Sequence, residues 1–313
     1  MNIKKIINGI FSIDTKTSNR IIISVLGVKI KILKKNIKTC ANKYYNIDCP
    51  ITEIPKATGI LRKYQLADIK ILKIFDKMCR DNNLGYWLDY GNLIGAVRHK
   101  GFIPWDDDID VTMIRDDYEK FIKLFEKEIP YDKNLYLEFE NNGINRCLLK
   151  LKHKKLSSLD IDIFTDDYYY KNVQGEEKKK LHKLLHKVCN RPYYVLLFHF
   201  YKYNNDKLRK RFIKTRDKEI LKGNKVDIAN KPSIYCGIDY YHVNPDIIFD
   251  YDTIFPLREI IFEDEKFLSV NNPDKYLTSL YGNYMEMPKD CYPRHANCED
   301  PELEKELDLF LAE

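Results

Sequence analysis

No apolar run in the sequence approaches the roughly 18 to 20 residues that a helix needs to cross a bilayer, so helical membrane spans are not expected. Cysteine is sparse. The eight thiols, Cys40, Cys49, Cys79, Cys147, Cys189, Cys236, Cys291 and Cys298, are scattered over 313 residues, and no cleavable signal peptide precedes them. That pattern argues against a disulfide framework and predicts reduced thiols in a cytoplasm. Acid is nearly missing from the first 45 residues, where ten Lys and Arg face the single Asp14. This segment carries +9 in a chain that totals +6, which leaves about −3 for the remainder. Its basic residues lack interleaved aromatics, so no nucleic-acid partner is expected.

An apolar fraction of 44% over 313 residues suits one large α/β body with a small appendage. Residues 1–45 form that appendage. Within it Ile21 to Ile32 reads as β structure, with Val28, Ile30 and Ile32 facing away from Lys29 and Lys31. Docking on an anionic inner leaflet would explain the charge, at about 1 kcal/mol per basic residue near the surface. A packing appendage with a solvated lysine face explains it equally well. Residues 46–59, with Pro50 and Pro55, read as a linker into a main body of residues 60–313.

In that body, Leu66, Ile69, Leu72, Phe75 and Cys79 recur at helical spacing, which predicts a helix with a core stripe ahead of a strand at Tyr86 to Leu88. A second helix is expected over Asp116 to Glu128. Strands are expected at Leu135 to Glu140 and Cys147 to Lys152, and a helical insertion spans about 175–222, broken at Arg191-Pro192. A strand near Ile234, a hairpin turning near Asp264, a helix from Pro273 to Gly282 and a last acidic helix from Pro301 complete the body.

The stretch Tyr90 to Val111 concentrates the chemistry. Asp106, Asp107, Asp108 and Asp110 fall within five positions and would repel one another strongly without cations among them. A calcium loop fails on detail: counted from Asp106, the sixth position is Val111 rather than Gly and the twelfth is Asp117 rather than Glu. The alternation Asp108-Ile109-Asp110-Val111 places two carboxylates on one strand face, and Asp160-Ile161-Asp162-Ile163 repeats the device. Phe102-Ile103-Pro104-Trp105 forms an apolar collar beside them that lowers the local dielectric. Gly91 to His99 reads as a short helix with its N-terminus open to a phosphate, followed by positive charge from Arg98, His99 and Lys100. A D-x-D pair alone is more often a solvated face; the second acidic strand and the collar favour two strands holding Mg²⁺ over a phosphate.

The run Gly91-Asn92-Leu93-Ile94-Gly95-Ala96-Val97-Arg98-His99, then Gly101-Phe102-Ile103-Pro104-Trp105-Asp106-Asp107-Asp108-Ile109-Asp110, closely resembles the signature of the LicD family. These are phosphocholine transferases of bacterial surface glycans, related to the fukutin-type ribitol-phosphate transferases. Ile161-Asp162-Ile163-Phe164, Phe255-Pro256-Leu257 and Tyr276 to Met285 extend the resemblance over roughly residues 60–295. It implies an α/β (α+β), nucleotidyltransferase-like mixed sheet flanked by helices, with residues 60–313 as the catalytic domain. Asp108 and Asp110 match the family's metal-binding pair, and Asp162 is taken as the third ligand. Two departures stand out: Asn92 where a small hydroxyl residue is expected, and Thr165-Asp166-Asp167 in place of Pro-Leu-Asp.

The resemblance implies transfer of phosphocholine, or a related phospho-alcohol, from a CDP-alcohol such as CDP-choline to a sugar hydroxyl of a surface glycan or its lipid-linked precursor, with release of CMP. Mg²⁺, with Mn²⁺ as a substitute, would sit on Asp108, Asp110 and Asp162. Gly91, Asn92, Arg98, His99 and Lys152 are the candidate donor contacts. The base is left open among Asp106, Asp160 and a hydroxide on the metal. A peripheral contact with the anionic inner membrane fits such an acceptor. Two rivals stand beside this reading: a nucleotidyltransferase that releases pyrophosphate, and a non-catalytic glycan-binding protein of the same fold.

Other motifs carry less. Lys150 and Lys152 share a strand face in the manner of Asp160 and Asp162, where a donor phosphate or plain solvent would suit them. His182 and His186 stand four apart and read as surface histidines. Cys291, His295 and Cys298 lack an evident fourth ligand, so a structural zinc site is not expected. Tyr193 to Tyr203, apolar and aromatic, falls in the insertion, where acceptor specificity is expected.

Overall fold

The computed structural model describes residues 50–125, 131–140, 148–189, 205–239, 247–288, 291–294 and 296–313, together with the backbone of three N-terminal strands. Those strands, β1 (Phe11–Asp14), β2 (Arg20–Val25) and β3 (Val28–Leu33), form an antiparallel sheet of their own in the order β1-β2-β3. Of the expected β stretch Ile21 to Ile32, the described residues Ile21–Val25 and Val28–Ile32 are strand. Tyr193 to Tyr203, Cys147 and His295 lie outside the described residues.

The body is a mixed sheet with helices around it, α+β in class. In chain order it comprises α1 (Gly59–Asp81), β4 (Trp87–Leu88), α2 (Tyr90–His99), β5 (Ile109–Ile114), α3 (Arg115–Leu124), β6 (Leu135–Glu140), β7 (Leu148–His153) and β8 (Leu156–Tyr168). Then follow α4 (Gly175–Cys189), α5 (Asn205–Thr215), β9 (Ile234–Cys236), β10 (Ile248–Phe249), α6 (Tyr251–Ile254), the hairpin β11 (Arg258–Phe262) and β12 (Glu265–Ser269), α7 (Pro273–Tyr281) and α8 (Pro301–Ala312).

Strand β8 is the spine of the sheet. One edge pairs in parallel with β5; the other pairs antiparallel with β7 along its first half and with β9 along its second. The order is β10-β9-β8-β5-β4, with β7 and β6 added on the β8 flank. Alternation then sorts the two faces. Ile109, Val111, Leu149, Leu151, Ile161 and Ile163 are all buried and join one core cluster with α1 and α8. Each such side chain contributes about 1.5 to 3 kcal/mol by leaving water. The opposite face carries Asp110, Lys150 and Asp162.

Helix α1 lies between this core and α8, so it buries more than one stripe. Ile69, Leu72, Phe75 and Cys79 are buried as expected, whereas Leu66 is 40% exposed because the contact face is centred on Ile71 and Leu72 instead. Lys63 ties α1 to α8 through Glu304 at 2.8 Å and Asp308 at 2.7 Å. Pro301 at the start of α8 and the Asp300 carboxylate, which accepts from Glu302 and Leu303 amides, set where that helix begins. No helix among the described residues is long and apolar enough to cross a membrane.

Glu263, in the β11–β12 turn, joins the N-terminal end of α1 to the loop after α2. It accepts from Arg62 at 2.7 and 3.0 Å, Lys56 at 2.6 Å and the Phe102 amide at 3.2 Å. Burial alone would raise its carboxyl, but Arg62 and Lys56 prevail and hold it at about 2, below its ordinary value. A depressed acid contributes stability that is full above its unfolded value and is lost as pH falls through its folded one. Between about pH 4.5 and pH 2 the wild type should therefore lose on the order of 3 kcal/mol relative to Glu263→Gln. Thermal melts of the two proteins at pH 6 and pH 2.5 test this; a gap that stays constant would remove Glu263 as the anchor.

Candidate active site

The parallel register of β5 and β8 sets Asp110 directly opposite Asp162. Both line an open cavity of about 640 Å³, together with Asp106, Asp107 and Asp108, Arg98 and Arg294, and the rings of Tyr90, Trp105, Tyr281 and Tyr292. Three chain regions meet there. The first is α2 with the loop that follows it, the second is the edge of β5 and β8, and the third is the segment after α7.

Helix α2 fixes the acidic strand by its side chains. Asn92, fully buried, donates to the Asp108 carbonyl at 3.0 Å and accepts from the Asp110 amide at 2.5 Å. An amide has one donor end and one acceptor end, and both are used here on β5 backbone. A hydroxyl could reach only one of them at a time in this arrangement, which gives the departure at position 92 a physical reason. Asn92 thus positions the carboxylates, and it is not among the cavity-lining residues.

The N-terminus of α2 is not open. Asp89 caps it, accepting from the Tyr90 amide at 2.7 Å, Thr112 Oγ1 at 2.5 Å and Tyr276 Oη at 3.0 Å. Burial pushes Asp89 up to about 6 against those three donors. The expected phosphate cradle at this end is therefore occupied by a side chain of the protein. Gly91, one residue on, does line the cavity, and a Cβ there would overlap Asp106 Oδ2.

Burial, with Asp108 and Asp107 beside it, pushes Asp106 well above the ordinary carboxylate range, and its Oδ2 is buried with no hydrogen-bond partner. Asp110 is raised for the same reasons, burial first and then Asp108 and Asp162. Asp107, by contrast, is spent on structure: it accepts from the backbone amides of Arg294 at 3.0 Å and Ala296 at 2.5 Å, which pins the C-terminal segment over the site. Arg98 donates to the Tyr284 carbonyl at 2.8 Å, and burial lowers it to about 10.

Several expected residues fall elsewhere. Asp160 and Lys152 do not line the cavity; Lys152 pairs with Glu138 at 2.9 Å. The lysine that meets Asp162 is Lys150, at 2.5 Å, because the β7–β8 register sets these two directly opposite. His99 is also outside the cavity lining, lowered to about 4 by burial and by Arg98. Of the collar, Ile103 and Trp105 form cavity wall, while Phe102 packs on Phe262 at 4.9 Å in the core. Asp167 is salt-bridged to Arg115 and Arg216, a buried structural role. Cys291 Sγ lies 3.1 Å from the Pro288 carbonyl, and Cys298 Sγ 3.8 Å from that of Ala296.

Sequence reasoning missed Lys150 as a neighbour of Asp162 and missed Tyr281, Tyr292 and Arg294. Strand alternation does place Lys150 on the acidic face, and Tyr281 falls within the motif Tyr276 to Met285; Tyr292 and Arg294 leave no local signal.

A family model described as LicD/FKTN/FKRP, nucleotidyltransferase domain, matches residues 83–188, the span that holds α2, β5 and β8. Residues 83–188 thus match a LicD-family domain. Among its relatives is the lipopolysaccharide cholinephosphotransferase LicD of Haemophilus influenzae, 29% identical over 270 residues, which cover 75% of this chain and 96% of that one. An uncharacterised protein of Rickettsia typhi is 28% identical over 222 residues, 58% of this chain and 70% of its own. An uncharacterised protein of Rickettsia prowazekii is 38% identical over 63 residues, 18% of this chain and 24% of its own. The LicD-family match includes both acidic strands.

Proposed function

We propose that the cavity binds a CDP-alcohol, CDP-choline first among them, and passes its phospho-alcohol group to a sugar hydroxyl of a surface glycan or its lipid-linked precursor, releasing CMP. The observation that carries this reading is the pairing of Asp110 with Asp162 in one cavity with Asp106, Asp108, Arg98 and Arg294. Carboxylates there suit a hard cation and guanidiniums suit phosphate oxygens, a combination that fits a nucleoside diphosphate donor. The Haemophilus relative, by its name a transferase of phosphocholine to lipopolysaccharide, supports the choice of group and acceptor.

In the step itself the acceptor oxygen attacks the phosphorus that bears the alcohol, and the bond from that phosphorus to the CMP oxygen breaks. CMP leaves with the electron pair. The hydroxyl proton needs an acceptor, and Asp106 lines the cavity while Asp160 does not. A carboxylate raised by burial is better matched to that task near neutral pH than an ordinary one. Arg98, held by the Tyr284 carbonyl, and Arg294 would orient the donor phosphates.

Mg²⁺ or Mn²⁺ fits the donor set, which is all oxygen and includes an orphaned buried atom, Asp106 Oδ2. Asp108, Asp110 and Asp162 would hold the ion, which when bound neutralises charge on the phosphoryl oxygens and the leaving CMP. Among the described residues no group of three or more His, Cys, Asp or Glu is already arranged to hold a metal ion.

Incubation with CDP-choline, Mg²⁺ and a lipopolysaccharide acceptor should yield CMP and a phosphocholine-bearing product. Release of pyrophosphate from CTP in its place would assign the chain to nucleotidyl transfer. Gly91→Ala should slow CMP release by roughly 10- to 100-fold, since a displacement of about 1 Å at a reacting group has effects of that size. Its Cβ must push Asp106 aside. Unaltered kinetics in a folded Gly91→Ala protein would take Asp106 out of the chemistry.

A further inference from the structure

A row of charge crosses the middle of the sheet. Asp110 of β5 faces Asp162 of β8, Asp162 faces Lys150 of β7, and Lys150 faces Glu138 of β6. Directly opposed residues share a sheet face, so these four side chains stand in line. The Lys150 ammonium is 2.5 Å from Asp162 Oδ1, 2.8 Å from Asp160 Oδ1 and 3.4 Å from Glu140 Oε2. Three carboxylates surround one buried cation. Lys150 does not line the cavity and Asp162 does, so Asp162 stands between the two, with Oδ1 on the ammonium.

We propose that Lys150 is a resident cation that takes the place of a second divalent ion, so that the site loads a single ion on its Asp108 and Asp110 side. This rests on the metal reading of the cavity given above. Two-ion phosphoryl-transfer sites hold their ions about 3.5 to 4 Å apart, with carboxylate oxygens shared between them. Asp162 already gives Oδ1 to the ammonium, and the space between Asp160 and Asp162 is held by Nζ. Withdrawal of the lysine would leave its ammonium buried without partners, which is strongly unfavourable.

The contact geometry is that of a charged pair, since an ammonium with three carboxylate neighbours has no reason to release its proton. Lys150 is in this sense a positioning residue: it fixes Asp162 and sets how many ions the carboxylates accept.

The test counts Mn²⁺ on the full chain without donor, by calorimetry and by the loss of free-ion EPR signal. Wild type and Lys150→Arg should each bind one ion per chain, and Lys150→Met should bind two. Two ions on the wild type, or one on a cooperatively melting Lys150→Met, would overturn the proposal. Crystals of the wild type soaked in Mn²⁺ decide the matter even when Lys150→Met fails to fold: one anomalous peak beside Asp108 and Asp110 supports it, and a peak between Asp160 and Asp162 overturns it. No bound ion at all would bring down the metal reading and this inference together, whereas two ions would leave that reading standing and remove only the role of Lys150.

Discussion

Asp110→Asn should slow CMP release from CDP-choline by roughly a thousandfold, about 4 kcal/mol of lost charge stabilisation, while the protein melts no earlier than wild type. The two halves of this expectation have one cause. Asp110 is half-buried beside Asp108, Asp162, Asp106 and Asp89, and its carboxyl is raised well above the ordinary range, so its negative charge opposes the folded state. Asparagine keeps the shape, removes the charge, and leaves the backbone bond from the Asp110 amide to Asn92 in place. Without metal, stability should therefore hold or rise. Asp162→Asn should be equally inactive, but there the change also takes from Lys150 its closest partner at 2.5 Å and leaves the ammonium to Asp160 at 2.8 Å. Near-normal turnover by a folded Asp110→Asn at saturating Mg²⁺ would end the assignment of Asp110 as a ligand.

That contrast shows which parts of the site can be read along the chain. Alternation is local, so Asp108-Ile109-Asp110 and Asp160-Ile161-Asp162 declare a charged face and a core face without any knowledge of neighbours. The same logic puts Lys150 and Lys152 on that charged face. It does not say which lysine meets which aspartate, since pairing depends on a register that shifts between Lys152 and His153. Helix α2 was legible from its glycines, but the use of its N-terminus was not: its cap, Asp89, is also bonded to Thr112 and Tyr276 from other elements. The same holds for the C-terminal wall. Asp107 catches the amides of Arg294 and Ala296 across 187 and 189 positions, a closure with no periodic signature.

Replacing Arg115 should be the most damaging single change to stability that leaves the cavity untouched. Arg115 opens α3 directly after β5, and its side chain is 5% exposed. It binds Asp167 through Nε at 3.1 Å and Nη2 at 3.0 Å, and Asp239 through both Nη atoms at 2.7 Å. Burial works against its charge, yet Asp167 and Asp239 raise it above its ordinary value, and Asp167 in turn is lowered with the help of Arg216 at 2.8 Å. Through these pairs Asp167 ties the end of β8 to α3 and to the segment after α5. Arg115→Ala would leave Asp239 buried without this cation and Asp167 with Arg216 alone. Removing one side of a buried pair is destabilising by about 3 to 5 kcal/mol, chiefly through the stranded charge. At roughly 2 to 4 °C per kcal/mol for a body of this size, the melting temperature should fall by about 10 °C. Because the loss comes from the stranded charge, adding Asp239→Asn to Arg115→Ala should restore part of it. A single variant that melts within about 2 °C of wild type, or a double variant that is no better than the single, would show that the network does not act as a unit.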